Sequence, residues 1–110
     1  MLSAQSMPPG ERDLYSKLRQ VLTHPGLLRG NLVEMRRRCG KKNCACWKDS
    51  AARHRSLYLG ISLNGKRRMI YIPPDWEEQV REWVERYSQV REVLEKLSLA
   101  CIKRLEKREM

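Results

Sequence analysis

Three cysteines and a histidine crowd the middle of the chain: Cys39, Cys44, Cys46 and His54, in a C-x4-C-x-C-x7-H spacing. Three thiolates and an imidazole form a closed tetrahedral set, the usual shell of a structural zinc ion. The insert Gly40-Lys41-Lys42-Asn43 can turn tightly and bring two thiolates to one metal. The spacing departs from the standard C-x2-C, and the C-x-C ligands must splay around the ion. Competing readings are three unrelated reduced thiols, a redox pair, and a plain surface role for His54. Against unrelated thiols stands a cysteine density far above background in a polar loop. Against a redox pair, C-x-C is not the C-x-x-C of thioredoxin-type sites. His24, beside Pro25, reads as a surface residue, and Cys101 as a small buried apolar one.

Catalysis is not expected. A filled three-Cys-one-His shell leaves no open position for water. No carboxylate cluster, nucleophile elbow or phosphate-binding glycine loop stands elsewhere in the sequence.

The charge around the cysteines points to a polyanion. The chain carries +10 overall, and residues 29–68 hold twelve Lys and Arg against only Glu34 and Asp49. That stretch alone accounts for the net charge, and the remainder is neutral. Nucleic acid is the natural partner of such a field, ahead of an anionic membrane surface. Candidate contacts are Arg36, Arg38, Lys41, Lys42, Lys48, Arg53, Arg55, Lys66, Arg67 and Arg68, with Tyr58 and Tyr71 as bases' stacking partners. The bland alternatives are a solvated basic face and a packed tyrosine pair beneath a helix.

These residues need elements to hold them. Leu14, Leu18 and Val21 recur at helical spacing from Glu11 to about Thr23, where Pro25-Gly26 ends the helix. Leu32 to Cys39 reads as a strand. Val33 and Met35 point to one side, and Leu32, Glu34, Arg36 and Arg38 to the other. Asn64-Gly65 marks a two-residue hairpin turn, since both positions need positive φ. It sets Leu63 against Lys66, Ile61 against Arg68, Leu59 against Ile70 and Leu57 against Ile72 on one face. Ser62 with Arg67, Gly60 with Met69, and Tyr58 with Tyr71 share the other.

Pro73-Pro74-Asp75 opens a long helix, with Asp75 and Glu78 spaced as a capping box. Trp76, Val80, Trp83, Tyr87, Val90, Leu94, Leu97 and Cys101 alternate steps of four and three, a heptad seam. The sheet is too short to cover that seam, so Trp83, Tyr87, Val90, Leu94 and Leu97 become candidate partner contacts. The partner is the N-terminal helix, a second copy or another protein. The fold expected is α+β: an N-terminal helix, a three-stranded antiparallel sheet with an inserted zinc knuckle, and a long C-terminal helix. Residues 1–10 form a flexible tail, 11–75 the basic domain and 76–110 the long helix. No apolar run approaches the ~20 residues of a membrane helix, and Met1 to Gly10 lacks the pattern of a secretory signal. The default location is the cytoplasm, where thiols stay reduced.

The run Arg37-Arg38-Cys39-Gly40-Lys41-Lys42-Asn43-Cys44-Ala45-Cys46, then His54, Tyr58-Leu59 and Tyr71-Ile72-Pro73, resembles an uncharacterised family of small bacterial and archaeal proteins. Their pattern is R-R-C-G-K-x-N-C-x-C, a short spacer, H-G-P-Y, a hairpin, a Y-I-P step and a long helix. The resemblance covers roughly residues 28–95. It implies that Cys39, Cys44, Cys46 and His54 act together, and it carries a mobile-element context but no activity. Arg55-Ser56-Leu57 stands where that pattern has G-P-Y, so the entry into the hairpin differs.

The reading that follows is a small zinc-binding nucleic-acid binder, an accessory factor of a mobile element, phage or nucleoprotein complex. Its rival is an adaptor acting through the long helix, as a homodimer or with another protein. The zinc expectation is checked by metal analysis. Purified protein should carry one zinc per chain, and a chelator should loosen residues 36–58, since metal binding in such a loop is coupled to folding. Protein lacking stoichiometric metal and indifferent to chelation would overturn it.

Overall fold

A computed structural model describes residues 8–37 and 54–108. The elements are α1 (Pro9–Leu22), β1 (Asn31–Arg37), β2 (His54–Leu63), β3 (Lys66–Ile72), a 3-10 turn (Pro74–Trp76) and α2 (Glu77–Lys107). The α+β order expected from the sequence is the one observed. The knuckle stretch, with Arg38 and Cys39 at its start, lies outside the described residues.

Helix α1 begins two residues earlier than its periodicity suggests, at Pro9, because a proline at the first helical position carries a preset φ and lacks only an N–H the helix leaves unused. Pro9 and Gly10, at the inner end of the stretch expected to be a flexible tail, are therefore helical. The Thr23 hydroxyl donates to the Gln20 carbonyl at 2.6 Å where α1 stops. At the start of α2, Asp75 sits inside the 3-10 turn instead of capping the α-helix, and the Trp76 amide donates to the Pro73 carbonyl at 2.9 Å.

The sheet is antiparallel with order β1-β2-β3. Asn64 and Gly65 adopt φ of 52° and 80°, and the register between β2 and β3 is the one the two-residue turn dictates. Strand β1 adds Leu32 opposite Leu59 and Glu34 opposite Leu57. One face of the sheet thus presents Leu57, Leu59, Ile61 and Ile72 to Val80 of α2, with Leu28, Leu32, Leu63, Trp83 and Val84 packed around them. The Leu28 amide donates to the Trp83 carbonyl at 3.2 Å and ties the approach to β1 to the helix.

Two compact units result: Leu28–Val84, and Met1–Leu27 with Glu85–Met110. The division therefore differs from one at residue 75. The first turns of α2 bring Val80 and Trp83 into the sheet's core, and α1 joins the rest of that helix. In the latter unit α1 runs antiparallel to α2: Glu11 meets Arg104 at 3.0 Å, while Arg86 donates to the carbonyls of Pro25 and, at 2.7 Å, Gly26. Leu14, Leu18 and Val21 are half-buried, as their spacing predicts.

The heptad seam does not hold together as one buried stripe. Its column Trp83, Val90 and Leu97 is buried or half-buried and continues into the half-buried Arg104, whereas Leu94 is 49% exposed and Cys101 is exposed. Cys101 is thus no core residue, and Leu97 is covered without any partner chain. The buried position beside Leu97 is Val93, at 1% exposure, which the seam omits. The physical reason is a change of packing partner along the helix: its first turns face the sheet, whereas from Glu85 onward its buried side faces α1, which selects Val93 beside Leu97.

Adjacent residues Val93 and Leu94 should accordingly respond oppositely. Val93→Ala should lower the unfolding free energy by about 1–3 kcal/mol, and Leu94→Ala by no more than about 0.5 kcal/mol, in denaturant titrations. An equal loss at Leu94 would show that its face is covered in solution.

Candidate nucleic-acid interface

Strand pleating divides the basic stretch between two faces. On the face away from Val80 lie Tyr58, Gly60 and Ser62 of β2 and Arg67, Met69 and Tyr71 of β3. Val33 and Met35 of β1 extend it. Tyr58 and Tyr71 pair across the strands as an edge-to-face contact, ring centroids 5.7 Å apart and planes inclined at 66°. Tyr71 is 52% exposed and Met69 is exposed as well. The tyrosines therefore do not sit beneath α2, where the packed-pair alternative required them.

Gly60 explains how Arg67 lies in this surface. A Cβ at Gly60 would stand 2.7 Å from the Arg67 Nη2 and 3.3 Å from the Met69 sulfur. The end of the Arg67 side chain lies close over the bare backbone of β2, an approach that glycine within a strand permits. The surface thus combines a cation, an exposed ring and a thioether on a rigid sheet. Arg29, just before β1, donates to the Ser62 carbonyl at 2.8 Å along the same region.

Other predicted contacts are placed elsewhere. Lys66 and Arg68 share the face of Leu57 and Ile72, not that of the tyrosines. Arg36 and Arg55 are directly opposite each other on that same face, and both are neutralised by carboxylates. Arg36 lies 3.2 Å from Glu34. Arg55 bonds Glu77 through Nη1 at 3.0 Å and Nη2 at 3.2 Å, and its Nε is 3.3 Å from Glu34. The hydrogen bonds that Arg55 donates, first to Glu77 and then to Glu34, push its pKa further above its already high value. This bidentate clamp joins β2 to the first residue of α2, so Arg55 has a structural task. No sequence pattern signals it, because the partners are 22 residues apart.

Arg38, Lys41, Lys42, Lys48 and Arg53 lie outside the described residues, as do Cys39, Cys44 and Cys46. The backbone of His54 opens β2 opposite Arg37, so the two ends of the stretch between them are held side by side. Among the described residues no group of three His, Cys, Asp or Glu is arranged to hold a metal.

Tyr87 is half-buried, and the exposed apolar side chains around Leu94 are Leu99, Ile102 and Leu105. Among the described residues, no helix is long and apolar enough to cross a membrane.

Residues 11–82, from α1 through the sheet to the start of α2, match the family described as Domain of unknown function (DUF6788). The chain belongs to that family. No curated protein and no solved structure matches the chain. The matched DUF6788 span ends just before Trp83, so it contains the whole sheet and the Arg55–Glu77 clamp.

The clamp yields a double-mutant test. Arg55→Ala and Glu77→Ala should each lower the melting temperature, and the double variant should lose less than the sum, because each single change removes the same bond. Strict additivity would mean that the pair contributes nothing to holding α2 on the sheet.

Proposed function

We propose that this chain is a zinc-stapled nucleic-acid-binding protein whose contact surface is the tyrosine face of the sheet together with the basic stretch leading to it. The observation that carries the reading is the uncovered face itself: Tyr71 exposed beside Tyr58, with the end of Arg67 close over Gly60. Aromatic rings on a sheet can stack on unpaired bases, while guanidinium groups stack alongside or neutralise phosphate. Double-stranded nucleic acid offers phosphates but no free base faces, so this surface is better suited to a single strand. The concentration of the full net charge in residues 29–68 supports the same partner class.

The zinc part rests on donor chemistry and chain length. Cys39 follows Arg37 by two residues, within ~7 Å of contour, and Arg37 pairs with His54. The β1–β2 ladder sets the backbones of Arg37 and His54 opposite each other, so the stretch that carries the cysteines starts and ends at neighbouring points. Cys44 and Cys46 would complete a tetrahedral set. Such a staple would hold Lys41, Lys42 and Lys48 next to the sheet. We place the protein in a reducing compartment, the cytoplasm of a bacterial cell, with no catalytic step of its own, and in a mobile-element or phage nucleoprotein setting.

A second reading has its own observation. Leu94, Leu99, Ile102 and Leu105 leave an exposed apolar flank on α2, Leu105 at 75% exposure. An adaptor working through self-association or a partner helix would use it.

Salt dependence separates the two. If about five phosphates are contacted, the log–log salt slope should be roughly −3.5 on a single strand and −4.5 on duplex DNA. Tyr71→Ala should cost ~1–3 kcal/mol on single-stranded ligands if one base stacks there. Arg67→Ala should weaken binding as well, with Arg55→Ala a poorer competitor for loss because its charge is already neutralised. Absence of affinity for DNA and RNA at low salt would put the adaptor reading first.

A further inference from the structure

Among the described strands β3 lies at the edge of the sheet, and beside it is an apolar groove that meets the proposed nucleic-acid surface at Tyr71. The groove encloses about 280 Å³ and is otherwise lined chiefly by Leu59, Ile70, Ile72, Pro73, Trp76 and Trp83. Trp76 and Trp83 stand as a tilted pair, centroids 6.1 Å apart, and Trp76 is 52% exposed. Ile70 is exposed too, on the face of the sheet that elsewhere is core. The volume falls just below the ~300–1,000 Å³ of small-molecule sites, the right scale for one or two apolar side chains.

Among the described residues, no strand pairs with the edge of β3 next to the groove. The two-residue turn makes Leu63 and Lys66 a hydrogen-bonded pair, so by alternation Lys66, Arg68, Ile70 and Ile72 turn their backbone groups toward β2. Arg67, Met69 and Tyr71 turn theirs outward, and none of them takes part in the backbone hydrogen bonds that lie outside the helices and strands. An added strand would meet three consecutive outward N–H and C=O sets. Its alternate side chains would enter the groove.

Charge selects the occupant. Lys66 and Arg68 lie on the groove's face at the hairpin end and have no ion pair among the described residues. Asp75 and Glu78 stand at the opposite end, at the start of α2. Three cations on one short edge oppose pairing with the same edge of a second copy, a known device against self-association. On the groove's face, Lys66 and Arg68 favour a strand bearing carboxylates.

We propose that the β3 edge and the Trp76–Trp83 groove form a peptide-docking site. It takes an extended segment of another protein, with apolar side chains at alternate positions and Asp or Glu at the end lying beside Lys66 and Arg68. Backbone pairing along Arg67–Tyr71 supplies the strand, the groove receives the apolar anchors, and the two cations fix direction.

The test is selection of a random displayed 12-residue peptide library on the full chain, followed by polarisation measurements with the enriched peptides. Enriched sequences should alternate apolar residues and carry Asp or Glu toward one end. Lys66→Glu with Arg68→Glu should weaken them by about tenfold or more, and peptides with Lys in place of the acids should regain affinity for that variant. Met69→Pro removes an outward N–H and leaves the ladder to β2 intact, so it should abolish binding while circular dichroism stays that of the parent. Trp76→Ala, at an exposed position, should also weaken binding without unfolding. Arg67→Ala should leave peptide affinity unchanged, since only its backbone is used. No enrichment, enriched peptides without acidic residues, or binding that survives both Met69→Pro and Trp76→Ala would each overturn the proposal.

Discussion

In an antiparallel sheet with one face buried, a slip of one residue turns every apolar side chain out to water, so register is the constraint from which the rest follows. Here it is set by two residues, Asn64 and Gly65, whose positive φ values close the β2–β3 hairpin in a single alignment. From that alignment Leu57, Leu59, Ile61 and Ile72 converge on Val80, and Tyr58, Tyr71 and Arg67 are delivered together to the opposite side. The core and the candidate interface are two consequences of one turn. Gly65 has open space where a Cβ would be, so its requirement there is conformational, whereas a Cβ at Gly60 would displace the end of the Arg67 side chain from its present place.

The positive charge of residues 29–68 looks uniform in the chain and is not uniform on the fold. Arg36 and Arg55 are drawn to Glu34 and Glu77, where the guanidinium of Arg55 closes the sheet against the start of α2. Arg67 lies on the tyrosine face, and Lys66 and Arg68 on the groove face. A field summed over the stretch still steers polyanions at long range. At contact range these cations fall into three environments, and the tyrosine pair lies on the face of Arg67.

Helix α2 shows a related division. Eight residues after its start it leaves the unit that contains the sheet, and from there its buried side faces α1. Glu11, only 5% exposed, is matched by Arg104, and the Cys101 sulfur lies 4.0 Å from the same carboxylate. Removing one member of such a pair would strand the other charge in a poorly hydrated place.

The order of elements, the β2–β3 register and the face shared by Tyr58, Tyr71 and Arg67 were legible in the amino-acid sequence, because each follows from local rules: φ preference at Asn64-Gly65 and a side-chain period of two. The cysteine and histidine spacing likewise is a property of the chain alone, and the chemistry proposed for it rests there. Three features belong to the tertiary structure. The Arg55–Glu77 clamp joins residues whose proximity depends on how a helix crosses a sheet. The exchange of Leu94 and Cys101 for Val93 on the buried side depends on α1 supplying the partner surface, which a heptad pattern cannot specify. The Trp76–Trp83 groove exists because α2 covers Leu57 and Ile72 but stops short of Ile70, and the extent of that coverage is decided only when helix and sheet pack. Local pattern determines which way a side chain points; what it then meets is settled by packing between elements distant in sequence.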